Sequence, residues 1–548
     1  MKSFIIPTLL MMCICAGLQN GVLAQTTNSD SAQIAWVRHF AGPDSMDEAV
    51  ALAVDGQGNI YVTGTSAGDY ATVKYDPSGT EQWARRYDGA GNEDTPSAIA
   101  VDASGNVYVT GSSDGGTTIF DITTIKYNSA GVEQWVRRFN NPENRSDFGS
   151  SLVLDGSGNV YVTGSSRSTS LGYGYLTIKY TPSGGTEWST RFDGEGILPG
   201  TSDDDFAVDI VLDASGNVYV TGRSRRGSID IVTVKFNSAG MKQWDVRYDG
   251  PAFGIDEPIG VAVDGSGNVY VAGNSRGTNT DDDLVTIKYN SAGVEQWVMR
   301  YTSQGSGPED AQDMGLDAAG NVYVTGSTNV SGNNNFVTIK YNSAGQEQWK
   351  AFYDDEAGFG DGAYDLVLDG AGNIYVTGSS QSPSVSTDFL TIKYNAGGEE
   401  QWVARYAGPT FFDLAQAIAL DGSNNVIVTG YTVDIGVSYW TTVKYVQVPV
   451  TSVEDRQVPV PTEYVLFQNY PNPFNPSTTI RFDLPKASLV TLKVYNLLGE
   501  EVETLVNERR PAGSYTMNWI AGGLAAGVYL YRLQAGEFTE TRKLVIIK

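Results

Sequence analysis

An all-β fold of eight four-stranded units closed into a ring is predicted by three landmarks that recur through residues 36–446. The first is D-x-x-G/N-N, beginning at Asp55, Asp102, Asp155, Asp213, Asp264, Asp317, Asp369 and Asp421. The second is a T-[VI]-K-[YF] run carrying lysines 74, 126, 179, 235, 288, 340, 393 and 444. The third is a tryptophan, usually within EQW: Trp36, Trp83, Trp135, Trp188, Trp244, Trp297, Trp349 and Trp402. Successive Asp landmarks stand 47 to 58 residues apart. A period of about 50 with several strands per unit marks a radial array of sheets, a β-propeller, rather than a helical solenoid.

Each unit reads as four strands. In the second they are SAIAVD, NVYVTGSS, DITTIKYN and VEQWVRRF, all rich in β-branched and aromatic residues. The turns explain the constant lettering. In DASGN the aspartate side chain bonds backbone amides further along, and the glycine accepts a positive φ. NSAG between the third and fourth strands follows the same logic.

The two ends complement each other. Trp36 precedes any D-x-x-G-N, and the last T-V-K-Y, ending at Tyr445, has no tryptophan strand after it. The eighth unit therefore lacks a fourth strand, and AWVRHF (35–40) is a spare one. Pairing the two closes the ring and removes its exposed edges.

Outside the repeats, MKSFIIPTLLMMCICAGLQNGVLA (1–24) has one lysine, an apolar run and small residues before Gln25, the pattern of a secretory signal peptide. Both cysteines, Cys13 and Cys15, lie inside it, so the mature chain is expected to hold no disulfide and no thiolate site. No later stretch reaches the roughly 18 apolar residues of a membrane span. The propeller is expected over 25–446, a Val/Pro-rich linker over 447–463, and a small Ig-like β-sandwich over 464–548.

The net charge is −27, to which the leader contributes +1, residues 450–463 −2 and residues 464–548 +2; residues 25–449 carry −28. Such a surface repels nucleic acid and anionic lipid and favours cations or neutral ligands.

Two resemblances follow from these motifs. D-x-x-G-N-V-Y-V-T-G, with an acid before it and K-Y-N-S-A-G…W after it, resembles the SBBP-type bacterial β-propeller repeat. It departs from that family in having T-[VI]-K-[YF] and EQW where a phenylalanine-rich run and a leucine–tryptophan pair are usual. The family is defined by architecture, so the resemblance brings no activity. At the other end, YPNPFNPS (470–477), KVYNLLGEEV, GVYLYRL and the terminal KLVIIK resemble the C-terminal sorting domain of type IX secretion. That resemblance implies export across the outer membrane by the type IX machinery, cleavage in the linker, and release or attachment to surface lipopolysaccharide.

Binding is expected on the face opposite the tight turns, where the second-to-third and unit-to-unit loops vary: TSAGDY (65–70), SSRSTSLGYGY (165–175), DGEGILPGTSDDD (193–205) and NSRGTNTDDDL (274–284). One regularity crosses that face. An acid sits eight residues before each turn aspartate: Asp47, Asp94, Asp147, Asp205, Asp256, Glu309, Asp361 and Asp413. These are expected to ring the channel mouth, and their presence in every unit favours a structural role over a cation or polyol site. Asp209, Asp313 and Asp365 break the symmetry and are the candidate ligand-binding residues. The D-x-[SAQ]-x-N turns resemble the start of a calcium loop, but no glutamate follows at its twelfth position, and no cofactor is expected.

The single histidine, His39, falls in a slot that holds Arg86, Arg138, Arg191, Arg247, Arg300 and Arg405 in six other units and Phe352 in one, and reads as a structural variant. Histidine-dependent nucleophilic catalysis is thereby excluded. The leading expectation is a secreted or surface non-enzymatic propeller that binds an extracellular glycan or protein. Its rivals are a polysaccharide-active enzyme using carboxylates at the channel mouth and a structural surface-layer component.

Overall fold

The computed structural model describes residues 30–547 except 43–46, 91–92, 117–118, 195–203, 279, 304–306, 331, 355–359, 382–385, 409–411, 435–436, 450–460, 462, 470–471, 475–476, 511–512, 522–523 and 537. The signal peptide expected at 1–24 and most of the linker expected at 447–463 lie outside the described residues. All the named elements are β-strands. The chain divides into two compact units, Met1–Pro449 and Val450–Lys548.

The larger unit repeats one antiparallel four-stranded sheet. The first runs Asp47–Val54, Ile60–Ser66, Asp69–Tyr75 and Glu81–Tyr87. Five more separate sheets begin at Asp94, Asp147, Asp205, Asp256 and Asp310. Two further units, 361–406 and 412–449, are joined into one eight-stranded sheet by a single Thr387–Phe412 bridge. The first strand of each unit neighbours the first strand of the next, and Phe412–Leu420 neighbours Asp47–Val54, so the succession is cyclic.

Local chemistry builds each unit. Asp55 shows the turn: Oδ1 accepts the amides of Gln57 and Asn59 at 2.9 Å, and Oδ2 accepts Asn59 Nδ2 at 2.7 Å and the Tyr61 hydroxyl at 2.9 Å. Gly58 supplies the required φ of 80°. One five-residue phrase thus satisfies both carboxylate oxygens and anchors the following tyrosine.

The tryptophan and the second turn meet between units. Trp83 lies on the backbone of Gly131 in the next unit, where an added Cβ would come within 2.6 Å of the indole. Its Nε1 donates to Ser129 O at 3.2 Å. The same seating joins Trp36 to Gly79, Trp135 to Gly184, Trp188 to Gly240, Trp244 to Gly293, Trp297 to Gly345 and Trp349 to Gly398. The repeated lysine reinforces the joint: Lys74 Nζ donates to Ser129 O at 3.1 Å while lying over the Tyr61 ring. Core is shared accordingly. Tyr61, Tyr70 and Trp83 pack with Val107, Val109 and Ile125 of the following unit. A sheet taken alone would leave half of that surface wet, which is why such units are stable only in series.

Asp30–Phe40 pairs with Val437–Pro449 in the register of an ordinary fourth strand. Lys444 faces Trp36 and Tyr445 faces Ile34, as Lys126 faces Trp135 and Tyr127 faces Glu133. The eighth unit then bonds to the first: Trp440 Nε1 donates to Thr65 O at 3.1 Å, and Lys444 Nζ and Trp36 Nε1 both donate to Pro77 O at 3.2 Å. The strand runs to Pro449, so residues 447–449 of the expected linker belong to it, and Gln447 works in the seam.

The smaller unit has a three-stranded sheet (Val465–Leu466, Ser477–Leu484, Gly513–Ile520) and a four-stranded one (Glu501–Arg510, Ser488–Tyr495, Gly527–Ala535, Phe538–Ile546). Phe482 and Trp519 from the first share one core with Val490, Leu492, Tyr531 and Leu533 from the second. Among the described residues no helix is long and apolar enough to cross a membrane.

Candidate functional site

The eight acids that lead into the first strands are buried, with at most 2% of each exposed. Seven of them hold down the loop that precedes them. Asp94, Asp205, Asp256 and Asp413 accept the amides of Gly89, Gly194, Gly250 and Gly408 at 2.7 Å. Asp47 takes Gly42 N, Asp147 takes Asn141 N and Glu309 takes Ser303 N. For Asp361 the corresponding loop lies mostly outside the described residues. Where the loop residue is glycine there is little room for more: a Cβ at Gly250 would meet Asp256 Oδ1 at 2.6 Å and Ser275 Oγ at 2.4 Å. Backbone bonds link the same positions to the preceding unit, from Asp94 N to Gly68 O and from Asp147 N to Phe120 O. Burial raises the carboxyls of Asp147, Asp205, Asp256, Glu309 and Asp413 above their usual range, and the hydrogen bonds to them work the other way.

The three symmetry-breaking aspartates are half-buried on the first strands. Asp209 accepts Ser151 Oγ from the unit before at 3.0 Å and Val261 N from the unit after at 3.1 Å. Asp313 accepts Leu366 N at 3.0 Å, and Asp365 accepts Ile418 N at 2.7 Å. Each carboxylate therefore straps its strand to an amide of the next unit. Asp313 and Asp365 meet, because the Leu366 amide is also 2.9 Å from Asp365 Oδ1. Burial, then the charge of Asp365, pushes the Asp313 carboxyl well above the usual range, and burial raises the Asp365 carboxyl as well. Asp209 has its own partners in other units and forms no part of that pair.

The slot shared by six arginines and His39 is structural in its contacts. Arg300 donates to Ser275 O, Ser275 Oγ, the Tyr248 hydroxyl and Asp283, and His39 Nδ1 lies 3.1 Å from Thr441 Oγ1. Two groups of three acids, Asp69–Asp88–Asp94 and Asp230–Asp249–Asp256, bring carboxylate oxygens within 4.8 Å of one another. A guanidinium already sits in each, with Arg86 on Asp69 at 2.9 Å and Arg247 on Asp230 at 2.7 Å.

A cleft of about 370 Å³ opens beside the seventh unit, lined by Asp310, Gln312, Asn334, Gly362, Tyr364 and Phe412 among others. It lies on the variable-loop side of the sheets, since Asn334 and Thr387 start third strands and Phe412 starts a first strand. Reading the sequence for charge pointed to Asp313 and Asp365, one residue past Gln312 and Tyr364, and missed the cleft. A signal was present. The position after the leading acid is Glu48, Thr95, Phe148, Phe206, Glu257, Asp310 and Leu414 in seven units and glycine, Gly362, in the seventh. Among the described residues a Cβ there would meet only the hydroxyl end of Tyr364, its oxygen at 3.8 Å.

Comparison with known proteins places these features. Residues 35–71, 82–117, 134–172 and 247–279 match the family described as beta-propeller repeat, SBBP, and residues 468–547 match the secretion system C-terminal sorting domain. No curated protein matches the chain. Solved structures similar to it include a virginiamycin B lyase from Staphylococcus aureus with quinupristin, at 8% identity and TM-score 0.40, covering 76% of this chain and 100% of that one. An ulvan lyase, a polysaccharide lyase, is 12% identical with TM-score 0.39, covering 67% and 95%. Drosophila Semaphorin 1b, extracellular domains 1-2, is 9% identical with TM-score 0.37, covering 63% and 84%. At these identities and scores none of the three speaks to this chain's activity. The sorting domain directs export to the cell surface or the extracellular space. This protein carries SBBP-type β-propeller repeats followed by a type IX secretion C-terminal sorting domain.

Proposed function

We propose that the protein is a secreted or surface-held eight-bladed propeller that binds an extracellular ligand without transforming it, delivered by an Ig-like sorting sandwich at 464–548. The propeller takes up 25–446 with its seam extending to Pro449, and the linker after it is the place of cleavage. The observation that supports binding over catalysis is the engagement of Asp209, Asp313 and Asp365. A glycosidase needs one carboxyl aimed at the scissile bond and a second facing the sugar. Here each candidate accepts an amide of the next blade at 2.7–3.1 Å. Seven of the eight ring acids are likewise committed to loop amides.

The cleft beside Gly362 is the place for a ligand on this reading. No cofactor is required, because the turn aspartates spend both oxygens on their own turns, so added calcium should leave the melting temperature unchanged. The test is a glycan array run beside a reducing-sugar release assay on the mature secreted protein. Binding without release supports the proposal. Release that is lost in Asp313→Asn or Asp209→Asn establishes the polysaccharide-active alternative instead. Absence of any ligand, together with assembly into an ordered surface array, establishes the surface-layer alternative.

A further inference from the structure

Resting on the sorting role of 464–548, we infer that Leu497 and Leu498, at the tip of one hairpin of the sorting domain, form the surface by which it docks into an apolar, basic-rimmed groove on a protein of the type IX machinery.

The tip is a turn that the chain also uses for another purpose. Asn496 Oδ1 accepts the amides of Leu498 and Glu500 at 3.0 Å, and Gly499 N donates to Asn496 O at 3.0 Å. Gly499 supplies a φ of 82°. The N-S-A-G turn at 128–131 has the same bonds. Asn128 Oδ1 accepts the amides of Ala130 and Val132 at 3.0 and 2.9 Å, and Gly131 N donates to Asn128 O at 2.8 Å. The geometry asks for the asparagine and the glycine, and it leaves the two middle positions free. At 129–130, 238–239, 291–292 and 343–344 the chain fills them with serine and alanine. At 497–498 it fills them with leucine.

Neither leucine is spent on the domain's own core. Leu498 is 84% exposed, the most exposed large apolar side chain among the described residues, and Leu497 is 69% exposed. The core closes without them, on Val490, Leu492, Val494 and their neighbours. Single apolar side chains are ordinary on a surface, but an adjacent pair held out on a tight turn marks a place that a partner covers. The hydrogen bonds of the turn fix it before binding, which lowers the entropy lost on docking. Strand register sets Tyr495 level with Leu530, and Gly527 level with Ile546. The exposed Ile547 therefore lies at the same end of the sheet as the tip. Leu489, 64% exposed, stands at the opposite end of the hairpin, facing Arg509.

The sorting-domain match over 468–547 makes a component of the export machinery the partner that must recognise this domain. The charges around the tip favour a protein groove over a lipid surface. Glu500, Glu501 and Glu503 are exposed beside it, and Lys493 pairs with Glu501 at 2.8 Å. An anionic lipid or lipopolysaccharide surface repels such a turn. A groove with an apolar floor and a basic rim accepts it.

Leu497→Ser with Leu498→Ala tests the inference, because it installs the side chains that the same turn carries in the propeller. The full-length variant is expressed in the native host beside wild type, Leu489→Ser, Leu497→Met with Leu498→Met, and the chain lacking 464–548. Export is read by fractionation and folding by the melting temperature. The Ser/Ala variant is expected to melt as wild type and to accumulate in the periplasm, its exported fraction falling at least about tenfold. Leu489→Ser and the Met pair, which keeps the apolar surface, should be exported as wild type. Normal export of the Ser/Ala variant overturns the docking role. Retention with a lowered melting temperature assigns the leucines to folding and overturns it as well. Retention of Leu489→Ser alongside the Ser/Ala variant shows a dependence on surface apolarity at large and overturns the assignment to this turn. Export of the chain lacking 464–548 overturns the sorting reading itself.

Discussion

Trp83→Phe and Trp402→Phe make the same change in the same repeat position, yet their costs should differ by about 2–4 kcal/mol. Both indoles are buried, 7% and 4% exposed, so the loss of ring area is alike and cancels in the comparison. The nitrogens are not alike. Trp83 Nε1 donates to Ser129 O in the second turn of the following blade at 3.2 Å. Trp402 precedes the one blade whose third and fourth strands come from opposite ends of the chain, so no such turn exists to receive it. Its Nε1 is buried without a hydrogen-bond partner among the described residues. The Gln447 side chain stands in for part of the missing turn, but its carbonyl takes Lys393 Nζ and its amide donates to the Tyr375 hydroxyl. Phenylalanine at 83 gives up a bond with a net value of about 1 kcal/mol. At 402 it removes an unsatisfied donor, which costs about 1–3 kcal/mol while it stays. Urea unfolding of the two variants, with m-values checked for equality, measures the difference. Equal destabilisation, or a larger loss in Trp402→Phe, would refute the account of the seam.

The Asp313–Asp365 pair predicts a pH dependence. Below the unfolded carboxyl pKa of about 4 both states hold the protons; as pH rises the unfolded chain ionises first while the raised native pair keeps its proton. Native stability should therefore fall from that point up to the native pKa and then level. Asp313→Asn supplies a permanent donor to Asp365 and keeps an acceptor for Leu366 N, so it should raise the melting temperature at neutral pH and flatten this part of the profile. A lower melting temperature in the variant at pH 7 would count against the raised Asp313 carboxyl. Gly131→Ala imposes a side chain at φ 75° and drives a Cβ into Trp83, at an expected cost of about 2–4 kcal/mol. Gly156→Ala, with nothing within 4 Å, should stay within about 0.5 kcal/mol of wild type in the same thermal melt. Similar melts for both would mean that the tryptophan does not rest on that glycine. Deleting 464–548 should leave the protein in the periplasm, as fractionation would read; normal export of the shortened chain would remove the sorting role from this domain.

Much of the architecture was legible because its causes are local. D-x-x-G-N holds its own turn within five residues, and alternating β-branched and aromatic residues carry the strand period. The spare AWVRHF strand was recognisable by counting, since a fourth strand was missing at one end and present at the other. Those inferences need only neighbours in sequence and a closed ring. The sorting motif was legible for the same reason.

What tertiary structure decided are relations between units about 50 residues apart. The glycine of N-S-A-G explained itself in the sequence by its φ, but it also carries the indole of the blade before it, and only the packed ring puts Gly131 under Trp83. The regular row of acids suggested a structural role, but only the folded chain shows what it is: seven of the eight are buried on an amide of the loop before them. Asp313 and Asp365 lie 52 residues apart and meet at the Leu366 amide because adjacent first strands run side by side. The cleft was hardest to foresee, since its lining residues come from three units of the ring and meet only in the folded chain.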